Sequence, residues 1–319
     1  MPRNMQRAGG DRTDLYQDIT DKIIAELEAG RLPWVQPWGA ARAPLDMPHN
    51  ASTRNRYSGI NVIILWDAVV SGGFSTNAFL TFRQALSLGG HVRKGERGTT
   101  VVYAKPFTPA EEKRRAEREG REAARIPMLK RFTVFNTDQC DDLPAEICAP
   151  PPPIPGDLIL PAAEALIKST GADFRIGGNQ AFYAPGLDYV QVPRPDSYFE
   201  PVNWHRTAFH ELGHWSGHGS RLNRDLSGGF GSVLYGREEL VAEMAGAFIC
   251  AAMGIEPTVR HADYLGSWLA IIREDNRAIV RAASAASRAA DFILGFRAEG
   301  EAADAEADLD DPAFERRAA

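Results

Sequence analysis

FHELGHWSGHGS, residues Phe209–Ser220, contains His-Glu-x-x-His, and its reading decides what the second half of the chain is. The pattern from Asn203 through His214 is helical, with no proline inside it. On a helix, side chains four apart share a face, so His210 and His214 point to one place and can both ligate one ion. Glu211 stands next to the first histidine, where its carboxylate can take a proton from a zinc-acidified water as that water attacks a carbonyl carbon. Zinc suits these donors, and manganese and cobalt are compatible with them.

A third protein ligand is needed. One arrangement puts a histidine six residues after the second, with a glycine between. Gly217 fits it, but the sixth position is Ser220, and His218 comes two residues too early. His218 therefore reads as a supporting or surface group. The search moves to REELVAEMAGAF, residues 237–248, where Glu239 and Glu243 lie four apart among Leu240, Val241, Met244, Ala247 and Phe248. Carboxylates on so apolar a helix need a reason to be there. A glutamate ligand followed four residues on by an acid that orients a metal-bound histidine is the pattern of gluzincin metallopeptidases, which this stretch resembles. The resemblance implies Glu239 as ligand and Glu243 behind a histidine, with the reverse assignment open. Glu238 reads as an exposed charge. Tyr183, Tyr198 and Tyr235 are candidates to polarise a carbonyl, and Asp188–Pro193 reads as an edge strand to which an extended peptide could add.

Outward from this site, 319 residues suit two domains, and 44% apolar with 24% charged residues is a globular composition. No apolar run is long enough to span a bilayer, and the N-terminus lacks the apolar core of a secretory signal, so cytoplasm is the expected compartment. Cys140, Cys148 and Cys250 have no C-x-x-C spacing, which argues against a thiolate metal site and for ordinary reduced thiols. The proline run CAPPPPIPGD, residues 148–157, marks the joint. The expected division is 11–147, the linker 148–157, 158–298, and a disordered acidic tail 299–319. NVIILWDAVV and AFLTFRQALSLGG read as helices. Val101–Tyr103 and KRFTVF read as adjacent strands, with a charged excursion over 109–131 between them. Beyond Asp263 the pattern is one long helix or a broken pair. The fold class is α+β.

Net charge is divided between the halves. Residues 1–149 carry 21 Lys+Arg against 18 Asp+Glu, a net of +3, and the remainder 15 against 24, a net of −9. Basic residues interleave with aromatic and small polar ones: Trp34, Trp38, Arg54, Arg56, Tyr57, Asn61, Arg83, Arg93, Lys94, Arg97 and Lys105. Single-stranded nucleic acid is held by this combination, cations along phosphates and ring faces on bases. The Asp/Glu clusters of hard-cation nucleases are absent from the sequence.

Several stretches now share a resemblance. They are ITDKIIAELEAG, PWVQPW, NRYSGIN and LTFRQALSLGGHVRKGERG in the first half, and HELGHWSGH and EELVAE in the second. Together they resemble the ArdC-type antirestriction proteins of conjugative plasmids over roughly residues 14–297. The first part is also similar to a region of plasmid TraC-type primases. The resemblance implies an N-terminal domain that binds single-stranded DNA, joined to a zincin-like metallopeptidase domain. It implies a role in protecting incoming plasmid DNA from restriction during conjugation. It carries the metal motif onto His210, Glu211, His214 and Glu239/Glu243. A coat on the DNA, with the zincin half structural or regulatory, is the alternative reading.

Overall fold

The structure, a computed structural model, describes residues 15–35, 42–123, 126–148, 156–258 and 264–309. The expectations for the first ten residues, Trp38, most of the proline run and residues 310–319 fall outside the described residues. Among those described, no helix is long and apolar enough to cross a membrane.

In the first half, α1 (Leu15–Glu28) buries Ile19, Ile23 and Leu27, one residue per turn, and the chain leaves it through Gly30 at φ 73°. After β1 (His49–Asn50) comes α2 (Ile60–Gly72), apolar nearly all round because it is covered on several sides. Gly73 closes it in the left-handed conformation, with its N–H on Val69 and Val70 carbonyls. The segment AFLTFRQALS is not one helix. Ala78–Thr81 forms β2 between β1 and a later strand, and α3 is confined to Phe82–Ser87. The cause is local. The Thr81 hydroxyl accepts from the Gln84 N–H at 3.3 Å and Gln84 Oε1 accepts from the Thr81 N–H at 2.9 Å, a capping box that starts the helix at residue 82.

Next come β3 (His91–Val92), β4 (Thr99–Phe107), α4 (Ala110–Glu119), β5 (Ile126–Asn136), β6 (Cys140–Asp141) and α5 (Ala145–Cys148). The main sheet runs β1-β2-β5-β4, with β1 parallel to β2 and the other pairs antiparallel; β3 and β6 form a separate pair. The charged excursion is thus the helix at the end of a long two-stranded ribbon. Its charges pair with one another, Arg121 with Glu112 at 2.6 Å and Arg115 with Glu119 at 2.8 Å.

The second half opens with α6 (Gly156–Ser169) and a small sheet of β7 (Asp173–Ile176), β8 (Phe182–Ala184) and β9 (Tyr189–Val192), in the order β7-β9-β8. The expected edge strand, β9, is therefore the middle one, paired on both sides; β8 and β7 are the edges. Four helices follow: α7 (Pro201–Trp215), α8 (Val233–Ala252), α9 (Leu265–Glu274) and α10 (Ala278–Leu309). The C-terminal pattern is thus a broken pair. The helix α10 runs through 299–309, where a disordered tail was expected. Its buried alanines, among them Ala283, Ala286 and Ala290, let it lie close against α8. Cys140, Cys148 and Cys250 form no disulfide.

The two halves share one hydrophobic core. Trp66 of α2 meets Phe248 of α8 edge to face with ring centroids 5.6 Å apart, and Trp34 meets Trp268 of α9 at 5.7 Å. Polar bonds cross the same seam. The Gly59 N–H donates to Ser287 Oγ at 2.7 Å, and the Thr20 hydroxyl to the Asn276 carbonyl at 2.8 Å. Gly59 sits at φ 61°, and a Cβ there would lie 3.3 Å from Ser284 Oγ, so this contact with α10 calls for glycine.

Candidate metal centre

Two helices build the site. The last turns of α7 carry His210, Glu211 and His214, and the middle of α8 carries Glu238, Glu239 and Glu243. They approach closely because their contact points lack bulk. A Cβ on Gly213 would stand 3.2 Å from the Ala242 backbone, and Gly246 faces the His210 backbone at 3.5 Å.

His210, His214 and Glu239, all buried, each offer a ligand atom within 4.8 Å of the others. The His210 and His214 Nε2 atoms are 3.2 Å apart, and the Glu239 carboxylate oxygens lie 3.5 Å from the first and 3.4 Å from the second. Two imidazole nitrogens and a carboxylate oxygen in one buried pocket fit a divalent ion of the zinc and manganese type. Glu243 stands behind this set, its Oε2 3.9 Å from His210 Nδ1. It can fix that ring while Glu239 faces the common centre.

Glu238 is the residue that sequence reading missed. It is not exposed: its Oε1 lies 3.3 Å from His214 Nδ1, and Arg224 donates to both of its oxygens, at 2.7 and 3.0 Å. Arg224 also donates to the Gly213 carbonyl at 2.6 Å and passes over Gly217, where a Cβ would meet its guanidinium at 2.8 Å. Gly217 thus makes room for the arginine that holds Glu238. A second glutamate beside Glu239 on the same apolar helix was the available signal. Substituting Glu238→Gln is expected to weaken divalent-metal affinity by about 10–100-fold with little change in fold, read by competition against a chromophoric chelator.

The electrostatics follow from this crowding. Burial acts to lower the His214 pKa, and the carboxylates of Glu238 and Glu239 outweigh it, pushing it up to about 10. Burial likewise acts to raise the Glu239 pKa, but the two histidines hold it far below the usual carboxylate range. Without a metal, His214 is therefore charged at neutral pH, and an ion must displace its proton. Apparent metal affinity is expected to rise about tenfold per pH unit as pH climbs toward about 10, with proton release seen calorimetrically in buffers of different ionisation enthalpy. The metal-free fold has the opposite dependence. A raised folded-state pKa gives stability that is complete below 6.5 and lost as pH passes about 10.

Glu211 is buried and lines, with His210, both a cleft of about 250 Å³ and an adjoining hollow of about 1030 Å³. Ala181 and Phe182 at the β8 edge line both spaces, so the strand facing the cleft is β8. The tyrosines now separate. The Tyr183 hydroxyl donates to Asp188 at 2.8 Å and is anchored there by Arg221, while Tyr198 lines only the outer hollow. Tyr235 lies one turn before Glu239. Burial raises its pKa first, then hydrogen bonding to Tyr264 and Glu239. It stands on the same helix as Glu239 and lines both the cleft and the outer hollow. His218 joins the Asp188 group, 3.8 Å from its carboxylate, and bonds to Ser220 at 2.8 Å.

The residues expected to touch nucleic acid divide as well. Trp34 is fully buried against Trp268 and has no face open to a base. Asn61 donates to the Val102 carbonyl at 2.7 Å and accepts from its N–H at 2.8 Å. It blocks the free edge of β4. Tyr57 is half-buried, edge-on to Phe79. Arg93 is exposed but tied to Glu96 at 2.9 Å and Asp141 at 3.3 Å. Arg54, Arg56, Arg83, Lys94 and Arg97 are exposed; the Lys105 side chain lies outside the described residues.

Comparison with known proteins adds the following. Residues 161–285 match the model of a zincin-like metallopeptidase domain, and residues 13–135 that of the N-terminal domain of anti-restriction factor ArdC. The chain is 38% identical over 285 residues to the protein y4eC of Sinorhizobium fredii, covering 92% of it. It is 35% identical over 294 residues to a DNA primase TraC of Escherichia coli and 34% identical over 300 to another, spanning only 20% and 27% of their lengths. Each alignment takes in 88% of this chain, so the likeness to the primases extends past the N-terminal domain into the zincin half. The crystal structure of antirestriction ArdC protein from the R388 plasmid, metal-free, superposes with a TM-score of 0.74 at 37% identity, over 90% of this chain and 98% of that one. Its Mn(II)-bound form gives 0.73 at 36%, over 89% and 98%. With both domain models met in order and one such structure matched along nearly its whole length, the chain belongs to the ArdC antirestriction family.

Proposed function

We propose that this protein binds single-stranded DNA, protects incoming plasmid DNA from restriction during conjugation, and hydrolyses a protein on or beside that DNA. DNA binding is assigned to residues 11–147, hydrolysis to residues 158–298, and the joint to 148–157, all acting in the cytoplasm. The observation that carries the peptidase part is the buried Glu211 next to the His210, His214 and Glu239 pocket, facing an open cleft. A purely structural metal site has no use for a general base. The R388 protein with Mn(II) supports a divalent ion here; zinc is the ion we assign.

An ion at this pocket supplies Lewis acidity where a peptide carbonyl enters. The chain's own residues do the rest. The β8 edge pairs with an extended peptide backbone. Glu211 takes a proton from the attacking water and returns it to the leaving amine. Tyr235 donates to the carbonyl oxygen as charge develops on it. Glu243 and Glu238 keep the two imidazoles in place.

One observation favours a second reading, in which the zincin half is structural and the protein protects by coating DNA. Trp66 of the first half is buried partly against the second, which would need no catalysis for that service. Either reading requires DNA binding. The intact chain is expected to bind a labelled single strand with an affinity that falls linearly, log against log, as salt rises. No binding at low salt would remove the DNA role.

A further inference from the structure

The N-terminal sheet carries an exposed aromatic surface that the buried Trp34 does not explain. In the β4–β5 ribbon, Tyr103 is opposite Lys130 and Val101 is opposite Phe132. Directly opposed residues of an antiparallel pair share a face, so these four stand together. Val101 is covered, but Tyr103 is 57% exposed and Phe132 45%, their rings edge to face at 6.5 Å. Lys130 is exposed beside them. The neighbouring strand β2 ends at Thr81, opposite Val134, and the chain turns into α3 beyond it. The ribbon's other face turns inward, where Arg131 meets Asp18 of α1 at 3.1 Å.

Resting on the DNA-binding reading above, we infer that this face is the base-stacking platform for single-stranded DNA. Tyr103 and Phe132 offer ring surface to bases, and Lys130 offers charge to the phosphates. Lone exposed aromatics are common on protein surfaces. Two in contact on one strand pair, with an exposed cation beside them, fit a polyanion that also stacks. They do not fit an acidic cleft or a neutral protein groove. The expected aromatic contacts near Trp34 are thus replaced by strand residues, as suits a sheet that presents alternate side chains to one side.

The test uses the intact chain and a fluorescein-labelled oligothymidylate, read by anisotropy across a salt series. Y103A/F132A is expected to weaken binding about 10–100-fold while leaving the salt slope unchanged. K130A is expected to flatten that slope by about 0.7. Y103L/F132L keeps an apolar, strand-compatible surface without rings and is expected to lose as much as the alanine variant; Y103F/F132Y keeps the rings and is expected to bind normally. Wild-type binding matched by Y103L/F132L overturns the platform and leaves the DNA role standing. Failure of the wild type itself at low salt sinks both.

Discussion

Glu211→Gln is expected to lower peptide hydrolysis by about 10²–10⁴-fold, the range of a lost general base, while the chain still binds one divalent ion. The amide keeps the size and most of the contacts of the carboxylate but cannot accept the proton. The three donors His210, His214 and Glu239 are untouched, so metal content by elemental analysis should match the wild type. His210→Ala removes a donor and is expected to lose both ion and activity. The pair of variants separates the two jobs of the motif. Loss of the ion in the Gln variant would mean that Glu211 holds the pocket together rather than serving chemistry.

Trp66→Ala is expected to cost about 3–5 kcal/mol of stability, the range for emptying a fully buried aromatic site. Trp66 has no exposed surface, packs on Phe248, and donates its indole N–H to the Asp46 carbonyl at 3.0 Å. Because its ring reaches from the first half into α8, the loss should move the whole chain. Denaturant unfolding followed by far-ultraviolet dichroism and by loss of bound metal should shift together, in one transition. Two separated transitions, only one of them shifted, would show that the halves fold independently despite the common core.

The metal motif was legible in the sequence because helical spacing alone brings His210 and His214 to one point. Glu239 and Glu243 stood out as charges on an apolar helix, but which of them faces the pocket depends on how α8 rotates against α7, and spacing does not carry that. Glu238 was misread for a related reason. Its partner Arg224 comes from a loop whose path no periodicity describes. The β9 strand was placed correctly along the chain and wrongly in the sheet, since strand order is a matter of long-range pairing. Trp34 shows the limit most plainly. An aromatic next to cations has the same local sequence whether it faces a base or, as here, Trp268 across the domain seam. The proline run suggested a spacer between separate bodies, yet apolar surface on α1, α2, α8 and α9 closes into one core.

Whether the cleft's chemistry is what protects DNA can be measured in cells. The most direct measurement is plasmid transfer into a restricting recipient, with the Glu211→Gln chain supplied in place of the wild type. Its metal content and single-strand binding are checked in the same preparation. Protection is expected to be lost while metal and DNA binding persist. Full protection by the Gln variant would contradict this and leave a DNA-coating protein whose second half is a scaffold.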